Sequence, residues 1–212
     1  METLKTQIEN FNIELSKQLP PEIFEAFGKS VEDLKTKNIE ENSIKEGAIF
    51  PSFSLPNAKN QEISSSEILK SGKMIVAFYR GDWCPYCNLE LAALQKALPE
   101  IKKKNVTLVA ISPQSPDNSL TTLEKHNLEF EVLTDDNNVL ASKIGISFKL
   151  QDFIVPVYES IGIDVPKHNG NNENTLPVPA VYVIDQNGVV LSKFIDTNYV
   201  NRVDIEELIN QL

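Results

Sequence analysis

Ile75–Leu91 reads IVAFYRGDWCPYCNLEL, and the order of its parts decides the fold. Met74–Tyr79 is a continuous apolar run, which predicts a strand buried on both faces. The residues from Pro85 to Leu98 have helical spacing, with Leu89, Ala92 and Leu94 placed to face a core. Between strand and helix lies Asp82-Trp83-Cys84-Pro85-Tyr86-Cys87. Pro85 suits a first helical turn, where a missing N–H costs nothing. Cys84 then falls at or beside the N-cap, and Cys87 one turn in. A helix N-terminus offers unpaired N–H groups and partial positive charge. Both favour a thiolate, moving a cysteine from about 8.5 toward 7 or below. The i, i+3 spacing puts both sulfurs on one side, within reach of a disulfide, and Arg80 adds positive charge nearby. Sulfurs sealed in hydrocarbon, or pointing apart, would contradict this reading.

Outward from this unit, strands and helices alternate. Thr107–Ser112 and Phe130–Leu133 read as buried strands, Ser119–His126 and Asn137–Ile144 as helices. Val181–Asp185 and Val189–Ile195 form a hairpin around Gln186-Asn187-Gly188, and Val203–Leu212 closes the chain as a helix. This order predicts an α/β domain with a sheet flanked by helices on both faces. The segment from Phe148 to Val178 breaks the rhythm. With its polar loop Lys167–Asn174 it reads as an insertion that edges the active site, and His168 falls in that flexible loop. Upstream, Leu4, Ile8, Phe11, Leu15 and Leu19 mark one amphipathic helix, and Ile23, Phe27, Val31 and Leu34 a second. The polar stretch from Lys37 to Glu46 reads as a linker. The division expected is therefore an N-terminal helical extension and linker over 1–45 and the main domain over 46–212.

Composition narrows the function classes. The formal net charge of −10 has no basic cluster within it, which argues against nucleic acid and anionic membranes as partners. No apolar run approaches membrane-spanning length, and the N-terminal residues lack a signal-peptide pattern, so a cytoplasmic setting is expected. Only two cysteines are present. In a reducing compartment such a pair is more often catalytic than structural. A structural zinc site needs about four ligands; no second CxxC exists, and His126 and His168 are not at ligand spacing. No metal or other cofactor is expected.

The stretch Ile75–Leu91 resembles the CxxC-containing, peroxiredoxin-like branch of the AhpC/TSA (redoxin) family. Gly47–Pro56 (GAIFPSFSLP), Ala110–Gln114 (AISPQ) and Pro177–Asp185 (PVPAVYVID) extend the similarity over residues 47–212. The resemblance implies a thioredoxin fold and thiol-based antioxidant chemistry. The family pattern FYPxxxTxxC places Cys87 at the peroxidatic cysteine, Cys84 on the threonine and Arg80 on the proline. The family arginine would stand near Pro179, where the sequence has none. The alternative overlay, on the WCxxC of thioredoxins and glutaredoxins, makes Cys84 the exposed attacker and Cys87 the resolving thiol. It also puts Pro179 at the position of a cis-proline facing the cysteines.

Two redox functions follow. In the first, Cys87 attacks a hydroperoxide, becomes a sulfenic acid and condenses with Cys84 to a disulfide. A thioredoxin- or glutathione-type reductant then resets the pair. In the second, Cys84 attacks a substrate disulfide and Cys87 resolves the mixed disulfide. A third, non-enzymatic reading is a redox sensor or binding module on the same fold. Trp83 is expected to pack beside the pair, and Tyr86 to shape access to it. Arg202 could bind an acidic side chain and receives no functional role. The N-terminal helices either pack on the domain or mediate a homodimer.

Overall fold

The computed structural model describes residues 2–212. In chain order the elements are α1 (Leu4–Gln18), α2 (Pro21–Lys35), α3 (Ile39–Asn42), β1 (Ser54–Pro56), β2 (Glu62–Ser64), α4 (Ser65–Ser71), β3 (Lys73–Phe78) and α5 (Pro85–Lys103). Then follow β4 (Val106–Ser112), α6 (Pro116–His126), β5 (Glu131–Thr134), α7 (Val139–Lys143), β6 (Ser147–Lys149), α8 (Val155–Ser160), α9 (Val165–Asn169), β7 (Thr175–Pro177), β8 (Ala180–Ile184), β9 (Val190–Ile195) and α10 (Ile205–Asn210).

The central sheet has the order β5-β4-β3-β8-β9. β3, β4 and β5 run parallel, while β8 and β9 run antiparallel to their neighbours. β3 is the middle strand, which explains its unbroken apolar sequence. Ile75, Ala77 and Tyr79 point into one core, shared with α1, α5 and α10. Met74, Val76 and Phe78 point into another on the opposite face. The architecture matches the expected α/β sheet flanked by helices.

Helix α5 buries Cys87, Leu91, Leu94, Leu98 and Ile101 along one stripe. Of the residues expected to face the core, Leu94 is fully buried, while Leu89, packed against the same core, and Ala92 are half-buried. The helix also runs through Pro99 to Lys103 instead of ending at Leu98. A proline inside a helix costs about 3 kcal/mol. Burying a residue such as Ile101 contributes about 1.5–3 kcal/mol, enough to hold much of the extra turn in place.

Residues 37–46, read as a linker, contain α3 and are tied down: the Ile44 N–H donates to the Ile144 carbonyl at 2.9 Å, and Ser43 is buried. The insertion is likewise structured. β6 and β7 pair antiparallel, and Phe148, Leu150, Ile154, Tyr158, Val165 and Leu176 build a third core with Leu34 of α2 and Ile39 of α3. Gln151 fastens it to α2, accepting from Ser30 Oγ at 2.8 Å and donating to Asp33 Oδ2 at 2.8 Å. His168 therefore lies in helix α9 and not in a flexible loop, because the third core and the bonds from the Ser115 N–H and Asn118 side chain to its carbonyl fix that segment.

Candidate active site

Leaving β3, the chain makes a tight bend before α5. Gly81 sits there with φ +151°, and a Cβ on it would lie 2.5 Å from Trp83 Nε1. Only glycine lets the indole fold back over the bend. The bend is held by the Asp82 N–H donating to Gln114 Oε1 at 2.8 Å. Gln114 is itself fixed by donating to the hydroxyls of Tyr79 at 3.0 Å and Thr122 at 2.9 Å. Cys84 is the N-cap of α5, with extended backbone, and Pro85 is the first helical residue.

Both sulfurs are reduced and fully buried. Cys84 is therefore not the exposed residue that the WCxxC overlay expects. The surroundings are nonetheless polar and cationic. Cys87 Sγ accepts from the Arg80 backbone N–H at 3.5 Å and from Arg202 Nη2 at 3.5 Å. Burial opposes ionisation of both thiols. At Cys84 a hydrogen bond from the Cys87 thiol and the charges of Arg80 and Arg202 outweigh it and bring the thiol well below its ordinary value. At Cys87 burial, the hydrogen bond to Cys84 and the Cys84 charge push the thiol up. Cys84 is thus the more acidic of the two thiols, and the pair titrates as a unit.

Two arginines supply the positive charge. Arg80 Nη1 donates to the Tyr158 hydroxyl at 3.0 Å. Its guanidinium lies 4.1 Å from the Tyr199 ring centroid and 4.9 Å from that of Trp83. Arg202, which the sequence left without a role, is held at three points. It donates to Glu90 Oε2 at 2.5 Å, to the Tyr199 carbonyl at 2.9 Å and to Cys87 Sγ. Burial pushes the Glu90 carboxyl up, against the pull of Arg202. The helical spacing of Glu90 from Cys87 was a usable signal, since both fall on the buried face of α5. The pairing with Arg202, far along the chain, carried none.

Pro179 is buried, but every peptide bond among the described residues is trans, which corrects the cis-proline expectation. Ala180 pairs with Phe78, so Pro179 is level with Tyr79. It offers no N–H there, and the ladder ends as β3 peels away toward the cysteines. The Val178 N–H turns instead to the Ile146 carbonyl at 2.8 Å. Tyr86 reaches back to α1, its hydroxyl donating to Asn12 Oδ1 at 2.6 Å, with Phe11 packed edge-on at 5.3 Å. Asp82 lies 3.2 Å from His168 Nδ1. Burial opposes the Asp82 carboxylate, yet the hydrogen bond and charge of His168 keep it below the usual range.

The geometry agrees with what comparison with known proteins finds. Residues 47–193 match the model of the AhpC/TSA family. A putative peroxiredoxin bcp from Buchnera aphidicola is 34% identical over 104 residues, 49% of this chain and 65% of that protein. Peroxiredoxin Bcp from Escherichia coli is 27% identical over 120 residues, covering 57% of this chain and 76% of the relative. Among solved structures, the peroxidoxin BcpB of Mycobacterium tuberculosis superposes with a TM-score of 0.62 at 17% identity, over 79% of this chain and 96% of that one. A PrxQ variant from Xylella fastidiosa gives 0.62 at 14%, over 79% and 94%. The fold is thus the thioredoxin fold of peroxiredoxins. α1, α2 and Arg202 all lie outside the matched residues. With its strand–CxxC–helix unit at the centre of the match, the chain belongs to the AhpC/TSA family.

Proposed function

We propose that the protein is a thiol peroxidase that reduces hydroperoxides through a Cys84–Cys87 disulfide, with Cys87 as the attacking sulfur. The observation that carries this reading is the pair of N–H donors on Cys87 Sγ, from the Arg80 backbone and the Arg202 guanidinium, each at 3.5 Å. Arg202 takes over the part of the arginine that the family pattern puts near Pro179. Cys84 stands where that pattern has threonine, at the N-cap of α5 and three residues before the attacking sulfur.

The proton of Cys87 passes to the Cys84 thiolate along the bond between them, which moves the charge to the sulfur faced by the donors. The Cys87 thiolate attacks the terminal peroxide oxygen, the O–O bond breaks, and the alkoxide or hydroxide takes the proton from Cys84 and leaves as alcohol or water, which returns Cys84 to its thiolate. Cys87 becomes a sulfenic acid. Cys84 then attacks its sulfur, releasing water and forming the disulfide. A dithiol reductant of thioredoxin type, oxidised in turn, restores both thiols.

Complete burial of both sulfurs in the reduced state favours a small oxidant, a peroxide, over a protein disulfide as the oxidising substrate; reduction by a thioredoxin-type partner then requires the oxidised site to open. The lowered Cys84 thiol favours the second reading, a disulfide reductase with Cys84 attacking. Peroxide consumption coupled to thioredoxin and its reductase, measured beside insulin-disulfide reduction, separates the two. The proposal expects peroxide turnover that Cys87→Ser abolishes. Insulin reduction that survives in Cys87→Ser without peroxide turnover would contradict it.

A further inference from the structure

A cleft of about 560 Å³ opens between the N-terminal helices and the leading end of α5, a volume typical of a small-molecule site. Leu15 and Leu19 of α1 and Phe24 and Phe27 of α2 give it apolar walls. These four residues precede the family match at 47–193. Neither cysteine lines the cleft, so it is a place for a ligand beside the sulfurs and not for the peroxide they attack.

One charge in the cleft is uncompensated. Glu32 and Lys35 line it and pair with each other at 2.7 Å, both more than half exposed. Arg80 also lines it but is only 5% exposed, and no carboxylate lies within 4.0 Å of it among the described residues, unlike Arg202. Of its guanidinium nitrogens only Nη1 meets an acceptor among those residues, the Tyr158 hydroxyl at 3.0 Å, and Nε is buried with no partner. The guanidinium lies over the rings of Tyr199 and Trp83, 4.1 and 4.9 Å from their centroids, contacts that use none of its in-plane N–H groups. Taking a charge out of water is costly unless an opposite charge meets it, and a planar carboxylate matches a guanidinium best. The anion that the chain itself sets against Arg80 is the Cys84 thiolate, which Arg80 helps to ionise.

We propose that this cleft is a binding site for carboxylates with an apolar body, such as medium-chain fatty acids, which engage the Arg80 guanidinium in competition with Cys84. The leucine and phenylalanine walls take the chain, and the carboxylate supplies the acceptors that Arg80 lacks. Gly28 of α2 keeps the room. It lines the cleft, and an added Cβ there would meet nothing within 4 Å, although helix stability alone favours alanine. A bound carboxylate draws on the charge that Arg80 otherwise directs at the thiolate, so ligand and Cys84 ionisation oppose each other by linkage.

The experiment titrates the reduced protein at neutral pH with octanoate, octanol and acetate. Binding is read by calorimetry and by the fluorescence of Trp83, the one tryptophan of the chain. Octanoate should saturate wild type. Octanol, with the same body and no charge, should bind roughly tenfold or more weakly, the scale of a hydrogen bond to a charged group, and acetate should not saturate. Gly28→Phe, which fills the room, should abolish octanoate binding, while Gly28→Ala stays near wild type. Arg80→Met, read by calorimetry, should bind octanoate no better than octanol. The thiolate absorbance of wild type should fall as octanoate saturates the site, and that of Gly28→Phe should not. Equal binding of octanoate and octanol to wild type, undiminished octanoate binding in Gly28→Phe, or an unchanged thiolate signal at saturation overturns the proposal, as does the absence of saturable octanoate binding to wild type. None of these readouts needs turnover, so failure of the peroxidase reading would leave them unaltered.

Discussion

Arg80 and Arg202 bring the same charge to the same two sulfurs, but their surroundings differ. Arg202 is neutralised by Glu90 at 2.5 Å, with both side chains about 2–3% exposed. Arg80 is caged by Tyr158, Tyr199 and Trp83 and faces no carboxylate among the described residues. The contrast separates two jobs. The Arg202–Glu90 pair ties the C-terminal segment to α5 and fixes one N–H on Cys87. Arg80 keeps its charge for the thiolate and for whatever oxygen approaches it.

Breaking the comparison on the Arg202 side should have the largest effect on stability. Arg202→Met strands a buried carboxylate, and losing one member of such a pair costs about 3–5 kcal/mol. Urea denaturation should show that loss, and Arg202→Met combined with Glu90→Leu should recover most of it. Removing the charge on the other side should act on the chemistry instead. Arg80→Met should lower peroxide kcat/KM about 100-fold, the scale for one preorganised donor. Its stability should fall less than that of Arg202→Met, since it leaves no carboxylate behind.

The pH profile sharpens the contrast further. Cys84, pulled down by both arginines, keeps its charge as the pH falls through the ordinary thiol value of about 8.5. Turnover should therefore hold at neutral pH and drop only where Cys84 itself protonates. Thiolate absorbance should report one charged sulfur near neutrality, with the second ionising only above the ordinary value, because Cys87 is pushed up. By linkage, the Cys84 shift stabilises the reduced fold above the unfolded thiol value, and that contribution is lost as the pH falls through the folded one; the Cys87 shift has the opposite sign. The smallest effect belongs to the rim. Asp82→Asn loses the half-buried contact with His168 and should cost about 1 kcal/mol or less in thermal or urea denaturation.

Much of this arrangement was legible in the sequence. β3 could be read because both its faces are buried, and the start of α5 because Pro85 and the cysteine spacing leave little choice. The two N-terminal helices declared themselves through their apolar stripes, although nothing in the pattern said where they would pack, α1 against α5 and α2 against the insertion. The residues that complete the site come from long-range packing, which local periodicity does not record. Arg202 meets Cys87 from 115 positions away, and Tyr158 meets Arg80 from 78. The insertion looked irregular because its short helices and strands depend on α2 for a core. Pro179 misled through its resemblance to a cis-proline, while its place in this fold is to end the β3–β8 ladder.

The attacking sulfur can be located by mass spectrometry of each single-cysteine variant after brief exposure to a hydroperoxide in the presence of dimedone, which traps sulfenic acid. Cys84→Ser, which keeps a hydroxyl beside Cys87 where the family pattern has threonine, should carry the label on Cys87, and Cys87→Ser should remain unlabelled. Label on Cys84 in Cys87→Ser, with none on Cys87 in Cys84→Ser, would contradict the account.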